Sequence, residues 1–228
     1  MHKLHIYTLI FFVALTSACG SPDNHQAETS TKSAVKAPQN ANTKTILVFG
    51  DSLTAGYGLD DPGSESYPSI IQQKIDSAKL NYKVINGGLS GETSAGGLGR
   101  IDWLLRQKVD VFILELGAND GLRGLPVEQT KKNLQAIINK VKAKYPDVKI
   151  VLTGMKVPPN LGDDYAYSFK EIFPELAEKN KVAFVEFLLD HVGGMPGLNQ
   201  KDGIHPTAKG AKIVAQNVWV VLKGILKK

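Results

Sequence analysis

Residues 45–53 read Thr-Ile-Leu-Val-Phe-Gly-Asp-Ser-Leu. The run Thr45–Phe49 carries no charge and stops at Gly50. A strand with one wet face alternates apolar and polar residues, so an unbroken apolar run predicts a strand covered on both faces, as in a parallel sheet. Similar runs occur at Val109–Leu116, Val148–Leu152 and Val182–Phe187, with a shorter strand at Tyr82–Ile85. Between them, apolar residues recur at helical spacing: Tyr67, Ile70, Ile71 and Ile75, then Leu98, Ile101, Leu104 and Leu105. Leu134, Ile137, Ile138 and Val141 predict a helix over Val127–Lys144, and Phe169–Leu176 a helix interrupted near Pro174. Pro206 suits the first turn of a last helix that turns Ile213, Val214, Val218, Val221 and Leu222 inward. No internal repeat is visible. Five strands alternating with helices predict a three-layer α/β/α sandwich around a five-stranded parallel sheet.

That pattern occupies residues 44–228, enough chain for one domain with a sizeable core. The chain before it is different in kind. Residues 1–18 have a cationic start, a short apolar run from Ile6 to Ala14 and a small-residue ending, the three parts of a secretory signal. The apolar run is too short to span a bilayer. The ending Leu15-Thr16-Ser17-Ala18-Cys19 resembles a bacterial lipobox, in which cleavage before the cysteine leaves it acylated. Cys19 is therefore the expected lipid anchor, with plain signal cleavage near Ala18 as the alternative. Residues 19–43 are small and polar apart from Val35 and predict a flexible linker. The expected location is the cell envelope, facing the periplasm and anchored to the outer membrane, with a secreted periplasmic protein as second choice.

Composition excludes several classes. There are 27 Lys and Arg against 22 Asp and Glu, a net charge of +5, without a run of five like signs. Nucleic-acid binding calls for clustered cations, so no nucleic-acid partner is expected. The single cysteine excludes an intramolecular disulfide and any CxxC site. Neither GxGxxG nor GxxxxGK[ST] occurs, which leaves nucleotide binding without support. The expected state is a monomer.

In open α/β sheets the ligand crevice lies beyond the carboxyl ends of the strands. Gly50-Asp51-Ser52-Leu53 follows the first strand, and Asn86-Gly87-Gly88-Leu89-Ser90-Gly91-Glu92-Thr93-Ser94 the second. Gly117-Ala118-Asn119-Asp120-Gly121 follows the third, and Asp202-Gly203-Ile204-His205-Pro206 comes after the fifth. Together they hold the parts of acyl transfer through a serine. Ser52 sits at a strand-to-helix turn. His205 can take its proton, and Asp202, three residues before, can hold the other ring nitrogen. The N–H groups of Ser52 and Gly91 and the Asn119 amide can form an oxyanion hole. Each piece alone has an ordinary explanation. A serine after a strand is more often a helix cap, and Asp-x-x-His suits a surface turn or two metal ligands. No second ligand pair supports a metal. His191 beside Asp190 is a rival base, but adjacent side chains on an extended segment diverge. The conjunction of four such segments at one edge outweighs the separate explanations.

These blocks, in this order, resemble the GDSL or SGNH hydrolase superfamily over residues 44 to about 225. The longer strings GDSLTAGYGL, SGETSAGG, ELGANDGLRG and DGIHP resemble its periplasmic thioesterase, lysophospholipase and arylesterase branch. The resemblance implies a serine esterase with nucleophile Ser52, oxyanion donors Ser52, Gly91 and Asn119, base His205 and orienting Asp202. It also implies a flavodoxin-like strand order, no cofactor and no metal, and a mobile loop at Gly121–Pro126 beside the acyl site. Two departures are Ala118 where the branch often has glycine, and Glu92 where it often has Asp. Asp51 reads as holding the turn by hydrogen bonds.

The substrate is expected to be a small acyl ester or lipid. Tyr57, Leu122, Pro158 and Leu161 are the expected pocket residues, with Leu59, Leu125, Pro159, Met195 and Leu198 as further rim candidates. An O-acetyl esterase acting on cell-wall polysaccharide, and a non-enzymatic lipid-binding lipoprotein, stand as the alternatives.

Overall fold

A computed structural model describes residues 43–227. The expected signal, Cys19 and the expected linker up to residue 42 lie outside the described residues. The sheet has five strands: β1 (Lys44–Gly50), β2 (Tyr82–Gly88), β3 (Val111–Glu115), β4 (Lys149–Thr153) and β5 (Ala183–Val185). They are all parallel, in the order β2-β1-β3-β4-β5. The expected sandwich and flavodoxin-like order are both present. β1, β3 and β4 are the inner strands, and in the first two Ile46–Phe49 and Phe112–Leu114 are fully buried, which is why their sequences show no alternation.

The helices are α1 (Ser52–Ala55), α2 (Pro62–Glu65), α3 (Tyr67–Ser77), α4 (Ser94–Leu104), α5 (Ala118–Leu122), α6 (Val127–Lys144), α7 (Asp163–Asn180) and α8 (Ala208–Ile225). α3 packs beside α8 on one side of the sheet, and α4 and α7 flank α6 on the other. α6 runs over the expected residues and buries Leu134, Ile137, Ile138 and Val141, one stripe at 3.6-residue spacing. Among the described residues no helix is long and apolar enough to cross a membrane.

Several expectations change, among them the span of the fifth strand, which keeps only Ala183–Val185 of the expected Val182–Phe187. Pro174 does not interrupt α7, which is continuous from Asp163 to Asn180. A proline inside a helix costs ~3 kcal/mol. The stripe Phe169, Ile172, Phe173, Leu176 and Ala177 is buried on both sides of it, and burying one such side chain contributes ~1.5–3 kcal/mol, so packing wins. Pro206 is not in the first turn of α8. Thr207 is the N-cap, its hydroxyl accepting from the Gly210 N–H, and Pro206 instead pairs with Asn199 in an isolated bridge. β2 extends three residues beyond Ile85 to Gly88, because its ladder with β1 continues as far as Gly50.

Candidate active site

The parallel sheet delivers its carboxyl ends to one edge, and the four blocks follow β1, β2, β3 and β5 there. The strand order reverses between β1 and β3, the switch point where such sheets leave a crevice. Ser52 is the first residue of α1, separated from the end of β1 only by Asp51. Its N–H belongs to the helix-start amides that lack an intrahelical partner. Asp51 caps the same turn: its Oδ1 accepts from the Leu53 N–H at 3.0 Å, and its Oδ2 from Asn119 Nδ2 at 3.1 Å. One amide hydrogen of Asn119 is thereby engaged, which orients the other. Asp51 is fully buried, and burial pushes its carboxyl up to about 6, against the pull of the Leu53 and Asn119 hydrogen bonds.

Ser52 and His205 are brought together across 153 residues of chain. Ser52 Oγ lies 2.8 Å from His205 Nε2, and His205 Nδ1 lies 2.7 Å from Asp202 Oδ2. Asp202 Oδ1 accepts from the N–H groups of Ile204 and His205, both at 3.0 Å. Burial alone would raise the Asp202 carboxyl. The hydrogen bonds from the His205 ring, the His205 N–H and the Ile204 N–H outweigh it and hold Asp202 below its ordinary value. The arrangement can move a proton from Ser52 to His205 and stabilise the resulting imidazolium. His191, the rival base, is exposed, pairs with Asp190 at 3.4 Å and does not line the cavity at Ser52.

Gly91 has φ of +78°, the left-handed region that favours glycine. Its turn is tied down by two arginines. Arg123 donates to the Gly91 carbonyl at 3.0 Å. Arg100 donates to both oxygens of the buried Glu92 carboxylate and to the Gly87 and Gly50 carbonyls, and it lies 4.4 Å from the Phe49 ring centre. Glu92 in place of Asp thus reaches a buried ion pair. Asp120, next to Asn119, accepts from the Ser94 N–H at 2.7 Å and from the hydroxyls of Ser94 and Thr130. That network joins α4, α5 and α6 behind the Asn119 amide.

A cavity of about 660 Å³ opens at these groups, within the size range of small-molecule sites. Ser52, Gly91, Asn119, Asp202 and His205 all line it, as do Tyr57, Leu122 and Pro158. Leu161 does not; its side chain reaches towards Gly124 instead. Leu59, Leu125, Met195 and Leu198 are also outside the lining. Gly121, expected at one end of a mobile loop, lies within α5, where an added Cβ would fall 2.2 Å from Val157.

Sequence reasoning missed part of the wall: Met155, Val157, Phe187, Leu189 and Ile204. It also missed Gln200, whose Nε2 donates to the Tyr57 carbonyl at 2.7 Å and the Pro206 carbonyl at 3.0 Å, while its N–H donates to the His205 carbonyl. Tyr57 has a second contact: its ring centre is 4.7 Å from that of His205. No motif marked Gln200. Among the described residues, no group of three or more His, Cys, Asp or Glu is arranged to hold a metal.

Residues 48–213 match the GDSL-like Lipase/Acylhydrolase family. The chain is 39% identical over 189 residues to Esterase TesA of Pseudomonas aeruginosa, covering 82% of this chain and 92% of that protein. It is 36% identical over 176 residues to Thioesterase 1/protease 1/lysophospholipase L1 of Escherichia coli K12, covering 77% and 81%. Among solved structures, that of a TesA superposes with a TM-score of 0.76 at 39% identity, over 80% of this chain and all of that one.

Proposed function

The chain belongs to the GDSL-like lipase/acylhydrolase family, and from that premise we propose a serine esterase that hydrolyses carboxylic esters and thioesters of apolar acyl groups through an acyl-Ser52 intermediate. The carrying observation is the hydrogen-bonded series Ser52–His205–Asp202 at the mouth of a cavity walled by Met155, Val157, Phe187 and Leu189. His205 Nε2 takes the Ser52 proton as Oγ attacks the acyl carbon. The oxyanion that forms is met by the Ser52 and Gly91 N–H groups and by the free Asn119 amide hydrogen. A group of this kind typically contributes ~10²–10³ in turnover. The carbon–oxygen or carbon–sulfur bond breaks, and the imidazolium returns its proton to the leaving alcohol or thiol. Water, deprotonated by His205, then releases the acid and restores Ser52. Asp202 stabilises the charged ring in both halves.

The apolar wall favours acyl chains over the small, polar acetyl-polysaccharide substrate. The names of the relatives favour an enzyme over a lipid-binding lipoprotein. Aryl esters and lysophospholipids are the other expected substrates. Hydrolysis of p-nitrophenyl acetate, butyrate and octanoate, with fluorophosphonate labelling, tests the reading. Ser52→Ala should lose both turnover and label while staying folded; retained turnover ends it. The sequence ending at Cys19 supports an envelope location with a lipid anchor. Cys19→Ala should shift the protein from the membrane to the soluble fraction, and unchanged fractionation would remove the anchor.

A further inference from the structure

β3 ends on a carboxylic acid in the middle of the sheet. Glu115 is fully buried, between two neighbouring strands, directly beneath the turn that carries Ser52. Its Oε2 accepts from the Asp51 N–H at 3.1 Å and from the Thr54 hydroxyl at 2.7 Å. The Thr54 hydroxyl in turn lies 2.7 Å from the Tyr67 hydroxyl of α3. Glu115 Oε1 is buried without a hydrogen-bond partner. Burying a carboxyl is costly unless hydrogen bonds offset the lost hydration, and here the donors that do so both belong to the segment that starts α1. Burial, followed by repulsion from Asp51, pushes this carboxyl well above its ordinary value.

What needs it is the turn. Asp51 lies one residue past the last ladder position of β1, where its N–H has left the sheet and α1 has not yet begun. A buried N–H without an acceptor is costly, and Glu115 supplies the acceptor. The fit is close. A Cβ added at Gly50 would lie 2.2 Å from Thr54 Oγ1, 2.3 Å from Glu115 Oε2 and 2.6 Å from the Glu115 carbonyl. The volume a side chain at Gly50 would fill is already taken by the carboxyl and the hydroxyl. The glycine that opens Gly50-Asp51-Ser52-Leu53 and the acid that ends β3 are therefore two halves of one joint.

Resting on the esterase reading, we propose that Glu115 is a positioning residue: its carboxyl, seated under Gly50 and bonded to the Asp51 N–H and the Thr54 hydroxyl, fixes the turn that aims Ser52 at His205. It touches neither substrate nor the reacting atoms. Its contribution is to hold the Ser52 Oγ and the Ser52 N–H in one geometry, and a displacement near 1 Å at a reacting centre can cost ~10² in rate.

The test uses the full chain with Glu115→Leu, Glu115→Gln and Thr54→Val. Each is measured for kcat and KM on p-nitrophenyl butyrate, for the rate of fluorophosphonate labelling and for thermal unfolding. Glu115→Leu, assayed well below its melting temperature, is expected to lose ~10–100-fold in kcat with KM within ~3-fold, labelling slowing in proportion. Glu115→Gln retains an acceptor for both donors and should recover most of that loss. Thr54→Val, which removes one donor and keeps the shape, should lower kcat several-fold at unchanged KM. A folded Glu115→Leu with wild-type kcat overturns the proposal. So does a Gln variant as impaired as Leu. Should the Leu variant not fold, the Gln and Val variants decide: wild-type kcat in Thr54→Val, or a Gln loss of ~100-fold or more, overturns it. Failure of the esterase reading looks different, since it would show as turnover or labelling retained in Ser52→Ala.

Discussion

Asp202→Asn separates the orientation of His205 from the mere presence of a polar neighbour. The native carboxylate divides its work between its two oxygens. Oδ1 accepts from two backbone N–H groups at 3.0 Å, and Oδ2 faces His205 Nδ1 at 2.7 Å. In asparagine one oxygen becomes an NH2 group. Were that NH2 to face Ile204 and His205, two donor–acceptor pairs would become donor–donor contacts. The remaining oxygen therefore stays with the backbone, and the amide nitrogen turns to Nδ1. Nδ1 must then accept, so the ring proton sits on Nε2. Nε2–H faces Ser52 as a donor and cannot act as a base. The expected loss is ~10⁴ in kcat, equivalent to ~5 kcal/mol of transition-state stabilisation. Stability should hardly move, because both loop bonds survive and the side chain of Asp202 is 38% exposed. The assay is kcat and KM on p-nitrophenyl butyrate beside thermal unfolding and fluorophosphonate labelling. KM should stay within a few-fold, and labelling should persist but slow. A variant with kcat within tenfold of wild type refutes the assignment of Asp202. A large loss accompanied by a large fall in melting temperature refutes the tautomer explanation in favour of a collapsed loop.

Asp51 makes stability depend on pH in a stated direction. Its carboxyl rises from 3.8 to about 6 on folding, so between those values the folded state holds more protons than the unfolded one. Its contribution is complete below pH 3.8 and lost as pH rises through about 6, a change of ~3 kcal/mol. Chemical unfolding of wild type against Asp51→Asn at pH 4 and pH 7 should show the variant gaining relative stability at the higher pH; no gain, or the reverse, removes the perturbed carboxyl. Gln200→Leu should unclamp the His205 loop from the Tyr57 and Pro206 carbonyls, costing ~1–3 kcal/mol in denaturant melts and lowering kcat more than it raises KM; a kcat equal to wild type counts against the clamp. Phe187→Ala should enlarge the acyl wall and raise the octanoate-to-acetate ratio of kcat/KM by ~tenfold, whereas Leu161→Ala, outside the lining, should leave it unchanged; the opposite pattern would mean that the acyl chain runs elsewhere.

The sheet and the meeting of the blocks were legible in the chain because both arise from local rules. An apolar run without alternation signals a strand buried on two faces. Parallel strands then place all their carboxyl ends on one side, so the segments after β1, β2, β3 and β5 must meet, whatever lies between. Residue spacing says nothing about contacts made after folding. In the sequence Glu115 lies unmarked inside the run Val109–Leu116, and only the place of β3 between β1 and β4 puts its carboxyl under the Ser52 turn. Leu161 reads as a pocket residue because it is apolar and in a loop, yet the chain after β4 turns Met155 and Val157 into the cavity instead. Pro174 reads as a break, but the core holds α7 straight across it. Gln200 and Tyr57 act on His205 through a carbonyl bridge and a ring face. Periodicity encodes which face of an element is dry. It cannot encode which distant group arrives there, because that depends on the packing of elements far apart in the chain.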